Sequence, residues 1–293
     1  MVQLELNMPS SFYEPEERYG FQITREKKEL WAVELDLLHK FISICKKYGL
    51  KWWADNGTLL GTARDGHFIP WDDDIDISMY RGDYDIFIQN APQELNYPYF
   101  LQTPISDLSA TSKTISLMRL DTTMITLERL STNFSPKSGI RIEIHVYDGL
   151  PEQKTFVENT CQDIDTAFKL MLFEKMNYRL GKINDSICRG KCNYYWKLLY
   201  DILTLKSYSG AENLVRYVDY YNEYNEKFII PSEILNDKFI TLEFEGLEVS
   251  CPACYEQLLE HFYGENWREP IVEDGSNPTY YFDTNNPYTM YLN

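Results

Sequence analysis

Four acids stand almost together between apolar neighbours: Asp72, Asp73, Asp74 and Asp76 follow Ile69, Pro70 and Trp71 and alternate into Ile75 and Ile77. Carboxylates wedged among apolar side chains are costly unless a cation pairs with them. Alternate residues of a strand share a face, so Asp74 and Asp76 project together, with Cα atoms about 6–7 Å apart. A third acid lies far along the chain. Glu143 sits between Ile142 and Ile144 in the strictly alternating run 140–146, the clearest strand signal present. Two carboxylates from one strand and a third from its neighbour make a hard, all-oxygen donor set. Mg²⁺ or Mn²⁺ takes such a set and keeps waters and substrate phosphates for its other positions. A pair of such ions stabilises both the attacking and the leaving oxygen in phosphoryl transfer. A run of three Asp is also compatible with a solvated acidic turn or a Ca²⁺ loop.

The chain has 293 residues and a formal net charge of -17. So acidic a surface repels nucleic acid and anionic headgroups over most of its extent, so nucleic acid is not an expected partner. Phosphates then have to be held by a local basic pocket or by metal ions. Hydrophobic content of 44% supports a buried core rather than disorder. The 23 Tyr bring apolar bodies with polar tips, suited to ligand surfaces or to half-buried positions. Met1 to Pro15 lacks the apolar segment of a signal peptide, and no run reaches a membrane span, so a cytoplasmic location without a transmembrane segment is expected. The six scattered Cys agree with that.

Periodicity predicts a helix over 25–48, with Leu30, Val33, Leu37, Phe41 and Ile44 at helical spacing and Gly49 as its C-cap. Short strands are expected at 51–54 and 75–79, a short helix through Leu59, Leu60 and Ala63, another over 83–89, and two strands within 114–128 around Asp121. Helical stretches are expected at 156–180, 194–205 and 211–228, with a Gly- and Cys-containing connector at 181–193. A hairpin around Glu245-Gly246, a helix over 255–263 capped by Gly264 and an irregular tail from Asn277 complete the chain. The fold class is α/β (α+β): a small mixed sheet flanked by helices, with an added helical region. The divisions are 1–151 for the core, 152–238 for a helical insertion and 239–293 for a hairpin, helix and tail packing on the core.

Gly57 and Thr58 open the short helix after Asn56, where free backbone N–H groups can hold a phosphate. Taken together, Gly57-Thr58-Leu59-Leu60-Gly61, then Arg64, then Phe68 through Asp76 closely resemble the LicD family, phosphocholine transferases of the nucleotidyltransferase fold. The fukutin and fukutin-related ribitol-phosphate transferases are similar in the same region. Met118 to Thr123, Gly139 to Pro151 and, more loosely, Phe244 to Pro270 extend the resemblance, while the helices at 152–228 match nothing nameable. Where the family often carries a third Asp, this chain has Glu143, whose longer arm still reaches a metal.

The resemblance implies a CDP-linked donor such as CDP-choline or another CDP-alcohol. A sugar hydroxyl of a glycan acceptor attacks the phosphorus bearing the alcohol, and CMP leaves. Such an acceptor belongs to lipopolysaccharide or teichoic acid, can be lipid-linked, and would bring the protein to the inner membrane face. Asp74, Asp76 and Glu143 would hold Mg²⁺, with Glu143 orienting or deprotonating the acceptor. Gly57 and Thr58 would contact phosphate, and Arg64 and Arg119 would neutralise phosphate oxygens or serve as structural ion-pair partners. A choline head group needs ring faces, for which Trp52, Trp53 and foremost Trp71 are available. The helices at 152–238 are expected to shape the acceptor region. His145 shares a face with Glu143 and is a candidate supporting residue. Cys188 with Cys192 and Cys251 with Cys254 read as free thiols rather than zinc ligands. Two alternatives stay open: transfer of the nucleoside monophosphate itself to a small molecule or protein, and non-catalytic binding of a glycan or nucleotide.

Overall fold

The computed structural model describes residues 1–126, 136–150, 154–206, 211–217, 226–272 and 280–291. A short N-terminal hairpin, β1 (Glu16–Arg18) and β2 (Phe21–Ile23), leads into α1 (Arg25–Tyr48). Thr24 caps α1 by accepting from Lys27 N, and Gly49 ends it at φ 66° with its N–H on Cys45 O. Leu30, Leu37, Phe41 and Ile44 of α1 are buried in the main core, as their spacing predicts.

The central sheet is mixed and holds seven strands. After β3 (Trp53–Ala54) comes α2 (Asn56–Asp65), then β4 (Asp76–Tyr80), α3 (Arg81–Glu94), β5 (Tyr99–Gln102) and β6 (Ile115–Arg119). The strand β7 (Thr123–Thr126) lies outside this sheet, and β8 (Arg141–Leu150) forms its spine. β4 and β8 are parallel, in a register that sets Asp76 beside Glu143 and Ser78 beside His145. β3 pairs antiparallel with β4, β6 with the first half of β8, and β5 with β6. Ile77, Ile115, Leu117, Ile142 and Ile144 bury this sheet against α1 and its neighbours.

Two long helices follow, α4 (Lys154–Arg179) and α5 (Asp185–Lys206). The expected connector over 181–193 shrinks to the turn before Asp185. Asn184 Oδ1 accepts from Ile187 N, and this cap starts α5 early. The third expected helix, over 211–228, is corrected at its start, 213–215. Asn213–Val215 forms β9 and Ile229–Pro231 forms β10, while 218–225 lies outside the described residues. The reason is tertiary: the far half of β8 offers an open edge, and Val215 and Leu214 pair with Asp148 and Gly149 along it.

Near the C-terminus, β11 (Phe239–Phe244) and β12 (Leu247–Pro252) form the expected hairpin. Its two-residue turn has positive φ at both Glu245 (50°) and Gly246 (82°), the type I′ geometry that matches strand twist. It is followed by α6 (Tyr255–Tyr263), ended at Gly264. Phe244, Val249, Leu258 and Trp267 join the same core as Trp31 and Phe68. The tail expected to be irregular contains β13 (Tyr280–Asp283), antiparallel to β7. Its Tyr280-Tyr281-Phe282 run carries the aromatic strand preference. The helix expected over 83–89 runs the full length of α3, because Pro92 near its end forfeits a single hydrogen bond. Among the described residues no helix is long and apolar enough to cross a membrane.

Candidate active site

Asp76 opens β4, and Asp72 to Ile75 precede it outside any helix or strand, Asp72 N–H closing a turn onto Ile69 O at 2.9 Å. Asp74 therefore lies two residues ahead of the strand, although Ile75 O already accepts Glu143 N–H at 2.9 Å. Parallel pairing brings Glu143 beside Asp76, and His145 two residues further on β8 reaches back. Ligand atoms of Asp76, Glu143 and His145 lie within 4.8 Å of one another, as do those of Asp72, Asp73 and Asp74.

Asp76 is held from three sides. Its Oδ1 lies 2.9 Å from His145 Nε2, its Oδ2 accepts from Asn56 Nδ2 at 2.9 Å, and its backbone N–H donates to Thr58 Oγ1 at 2.9 Å. Burial pushes this carboxyl up, yet the His145 and Asn56 hydrogen bonds and the charges of His145 and Arg216 outweigh burial and leave it below its ordinary value. Its neighbours move the other way. Burial and the charges of Asp76 and Asp73 push Asp72 up to about 7, with a hydrogen bond from Asp74 and the charge of Lys27 offsetting part of the rise. Asp74 is raised by enclosure and by repulsion from Asp76, Asp72, Asp73 and Glu143, although its tip reaches solvent. On α1, Glu34 is fully buried behind them and raised well above the ordinary range by burial and by the charges of Asp74 and Asp73. One firmly anionic carboxylate is thus surrounded by several that resist ionising without a counter-charge.

These acids face a cavity of about 510 Å³. Asp72, Asp74 and Asp76 line it together with Gly57, Leu60 and Arg64 of α2 and with Ile69 and Trp71. The chain beyond residue 262 supplies Tyr263, Asn266, Trp267, Glu269 and Ile271.

The expected residues meet different fates. Gly57 reaches the cavity and lies against Asp72: a β-carbon at this position would fall 2.2 Å from Asp72 Oδ2. Thr58 is buried with its hydroxyl on Asp76 N, so its side chain orients an acid. The N-terminus of α2 carries Asp55 as its cap, accepting from Asn56 N at 3.0 Å, so that N–H is already engaged. Arg64 lines the cavity. Its Nε donates to Asp65 at 2.9 Å, its guanidinium stacks over Tyr19, and its buried Nη2 has no hydrogen-bond partner. Trp71 is half-buried beside the acids and packs edge-on against Phe21, whereas Trp52 and Trp53 are core residues. Arg119 is corrected as a phosphate ligand. It is 2% exposed, and its guanidinium is held by Asp36 at 2.6 Å, by Asp121 at 2.8 Å and by Gln3 O at 2.9 Å. It ties α1 to β6 and the N-terminal segment rather than turning toward the cavity.

Sequence reasoning missed Asn56, Asp72 as an individual ligand candidate, and Arg216. Buried Arg216 approaches Asp55 Oδ2 at 3.3 Å and Asn56 Oδ1 at 3.2 Å. Ser78 Oγ and Tyr147 OH donate to the same Asp55 oxygen. The Arg lay within a stretch read as helix, so no local signal pointed to it.

A mixed α/β fold with acids on adjacent parallel strands, beside a helix start and a cavity, is of the nucleotidyltransferase type. The comparisons agree: the family model described as LicD/FKTN/FKRP, nucleotidyltransferase domain, matches residues 49–174. Residues 49–174 are thus similar to a LicD-type nucleotidyltransferase domain, and the resemblance carried by Gly57 to Asp76 is borne out. Lipopolysaccharide cholinephosphotransferase LicD of Haemophilus influenzae is 26% identical over 273 residues, covering 84% of this chain and 93% of the relative. Ribitol 5-phosphate transferase FKRP of mouse and of human is 40% identical to this chain over 42 residues, 14% of this chain and 8% of FKRP.

Proposed function

We propose that the protein is a divalent-metal-dependent phosphotransferase. It moves phosphocholine, or a similar phospho-alcohol, from a CDP-linked donor to a sugar hydroxyl of a cell-surface glycan and releases CMP. The observation that carries this reading is the pairing of Asp76 with Glu143 on adjacent parallel strands, with Asp72, Asp74 and Asp76 together on the wall of one cavity.

The donor set fits Mg²⁺ or Mn²⁺. Carboxylate oxygens dominate it, Asp76 is kept anionic, and the raised Asp72 and Asp74 mark a site short of positive charge. Asp74, Asp76 and Glu143 would hold the ion, with Asp72 at hand. When bound, it neutralises the diphosphate and stabilises charge on the leaving phosphate. The residues do the rest. Asn56 and His145 keep Asp76 turned to the site. Arg64 offers its unpartnered Nη2 to a phosphate oxygen, a charge-assisted bond that removes a buried orphan donor. Glu143, partly exposed and 3.6 Å from Arg141, accepts the acceptor hydroxyl proton as its oxygen bonds to phosphorus and the bond to CMP breaks. Trp71 offers a ring face to a quaternary ammonium. Asn266 and Glu269 of the same cavity offer hydrogen bonds that suit a polyol such as ribitol, so both head groups belong in the test.

The test is calorimetric titration with CDP-choline, CDP-ribitol, CDP-glycerol and CMP, with and without Mg²⁺. Wild type and Asp74→Asn/Asp76→Asn are compared. Mg²⁺-dependent preference for one CDP-alcohol, lost in the double variant, is expected. A folded protein that binds no cytidine nucleotide would overturn the donor assignment. Nucleotide binding indifferent to Mg²⁺ would overturn the role of the acids.

A further inference from the structure

The helical pair α4–α5 carries a surface unlike the rest of the molecule. Phe173 and Met176 stand at helical spacing on α4, Leu180 follows them in the turn, and Ile187 and Tyr194 recur along α5, all exposed. Phe173 is 61%, Leu180 60% and Tyr194 65% open to solvent. The inner face is separately satisfied, because Phe168, Met171, Cys188 and Cys192 pack with Leu108 in their own small core. The outward apolar residues are therefore additional to what holds the pair together.

Charge on the same pair runs against the chain. Among the exposed residues of 169–199, Lys169, Arg179, Lys182, Arg189, Lys191 and Lys197 are basic and Asp185 alone is acidic. Lys169 pairs with Asp165, Arg189 with Asp185 and Lys191 with Glu174, and such exposed pairs are weak enough to exchange for a lipid phosphate. The whole chain carries -17. Leu180, Gly181 and Lys182 form the turn between the helices, so the tip of the pair is both apolar and basic.

We propose that the tip and outer face of α4–α5 dock on the surface of an anionic lipid bilayer, with Met176, Leu180 and Ile187 entering the headgroup boundary and Lys182 and Arg189 meeting lipid phosphates. Exposed apolar side chains flanked by Lys and Arg are the composition of an interfacial helix. The two helices lie on the membrane and do not cross it. Net negative charge over the rest of the chain turns the remainder of the molecule away from such a surface, which fixes the side that docks. A second copy of the chain is a poorer occupant of this face, since two basic tips repel. Nucleic acid would take the charges and leave the aliphatic side chains without contact. The inference is independent of the donor and of the chemistry at the acids.

Co-sedimentation of the full chain with vesicles tests it, comparing pure phosphatidylcholine with phosphatidylcholine containing phosphatidylglycerol, at low and high salt. Binding to the anionic vesicles alone, weakened by salt, is expected. Lys182→Glu/Arg189→Glu should reduce it by at least about 25-fold, since each lost basic residue near the surface is worth about fivefold. Leu180→Ser/Ile187→Ser should reduce it as well, with thermal melting and CDP-alcohol binding unchanged in both variants. Wild type that fails to sediment with anionic vesicles would overturn the proposal. So would variants that bind as wild type does. Sedimentation equilibrium showing a dimer that Leu180→Ser/Ile187→Ser dissociates would assign the face to a second copy instead. Binding of a polyuridine 20-mer, lost in the charge variant while vesicles fail to bind, would assign it to nucleic acid.

Discussion

Gly57 and Asp72 are in such close approach that a β-carbon on Gly57 would stand 2.2 Å from Asp72 Oδ2. No side chain fits there while Asp72 keeps its place on the cavity wall. Gly57 is thus required by the carboxylate opposite it, and the Asp is required to be short. For Gly57→Ala we expect the Asp72 carboxylate to be displaced, the fold to be retained, and Mg²⁺-dependent nucleotide affinity to fall about tenfold, the equivalent of about 1.4 kcal/mol. Calorimetry in the presence and absence of Mg²⁺ measures it. Unchanged Mg²⁺ dependence would show that Asp72 takes no part in ion binding.

The raised carboxyl of Asp72 makes a pH prediction. The group holds its proton more tightly in the folded protein, at about 7 against an ordinary 3.8. Between those values folding takes up a proton, so this group's contribution to stability falls as pH rises. Without divalent ions, Asp72→Asn should therefore melt above wild type at pH 8, by about 2–4 °C for each kcal/mol relieved, and the gap should close by pH 4. Added Mg²⁺ should close it at pH 8 too, because ion binding stabilises the wild-type site. Differential scanning fluorimetry across pH reads both effects. A gap that does not depend on pH would remove Asp72 as its source.

Two arginines separate binding from architecture. Arg119 is sealed against Asp36 and Asp121, so Arg119→Ala strands a buried Asp36 and should cost about 3–5 kcal/mol of stability. Its folded fraction should bind Mg²⁺-nucleotide as wild type does. Arg64 keeps an unpartnered Nη2 and lines the cavity, so Arg64→Ala should cost less stability than Arg119→Ala, because the Asp65 it leaves is less deeply buried than Asp36, and should weaken the donor about 10–100-fold. Denaturant melts and calorimetry on the two variants decide the assignment, and the reverse pattern would exchange their roles.

The run Phe68 to Asp76 stated its chemistry locally. Acids between apolar residues need a cation wherever they fold, and the alternation around Glu143 announced a strand without any partner in view. The long helix α1, with its Thr24 and Gly49 caps, and the Glu245-Gly246 turn were legible for the same reason: caps, periodicity and turn residues act over a few neighbours. Tertiary structure alone decided the rest. The parallel register of β4 and β8 set His145 on Asp76, and the open edge of β8 drew 213–215 out of an apparent helix into the sheet. That strand delivered Arg216 beneath Asp55, 161 residues away along the chain. Arg119 shows the converse, a basic residue in a plausible motif whose charge is satisfied by an acid on α1. Local chemistry is written in adjacent residues, but which charges meet depends on chain closure over long separations, and only the packed core determines that.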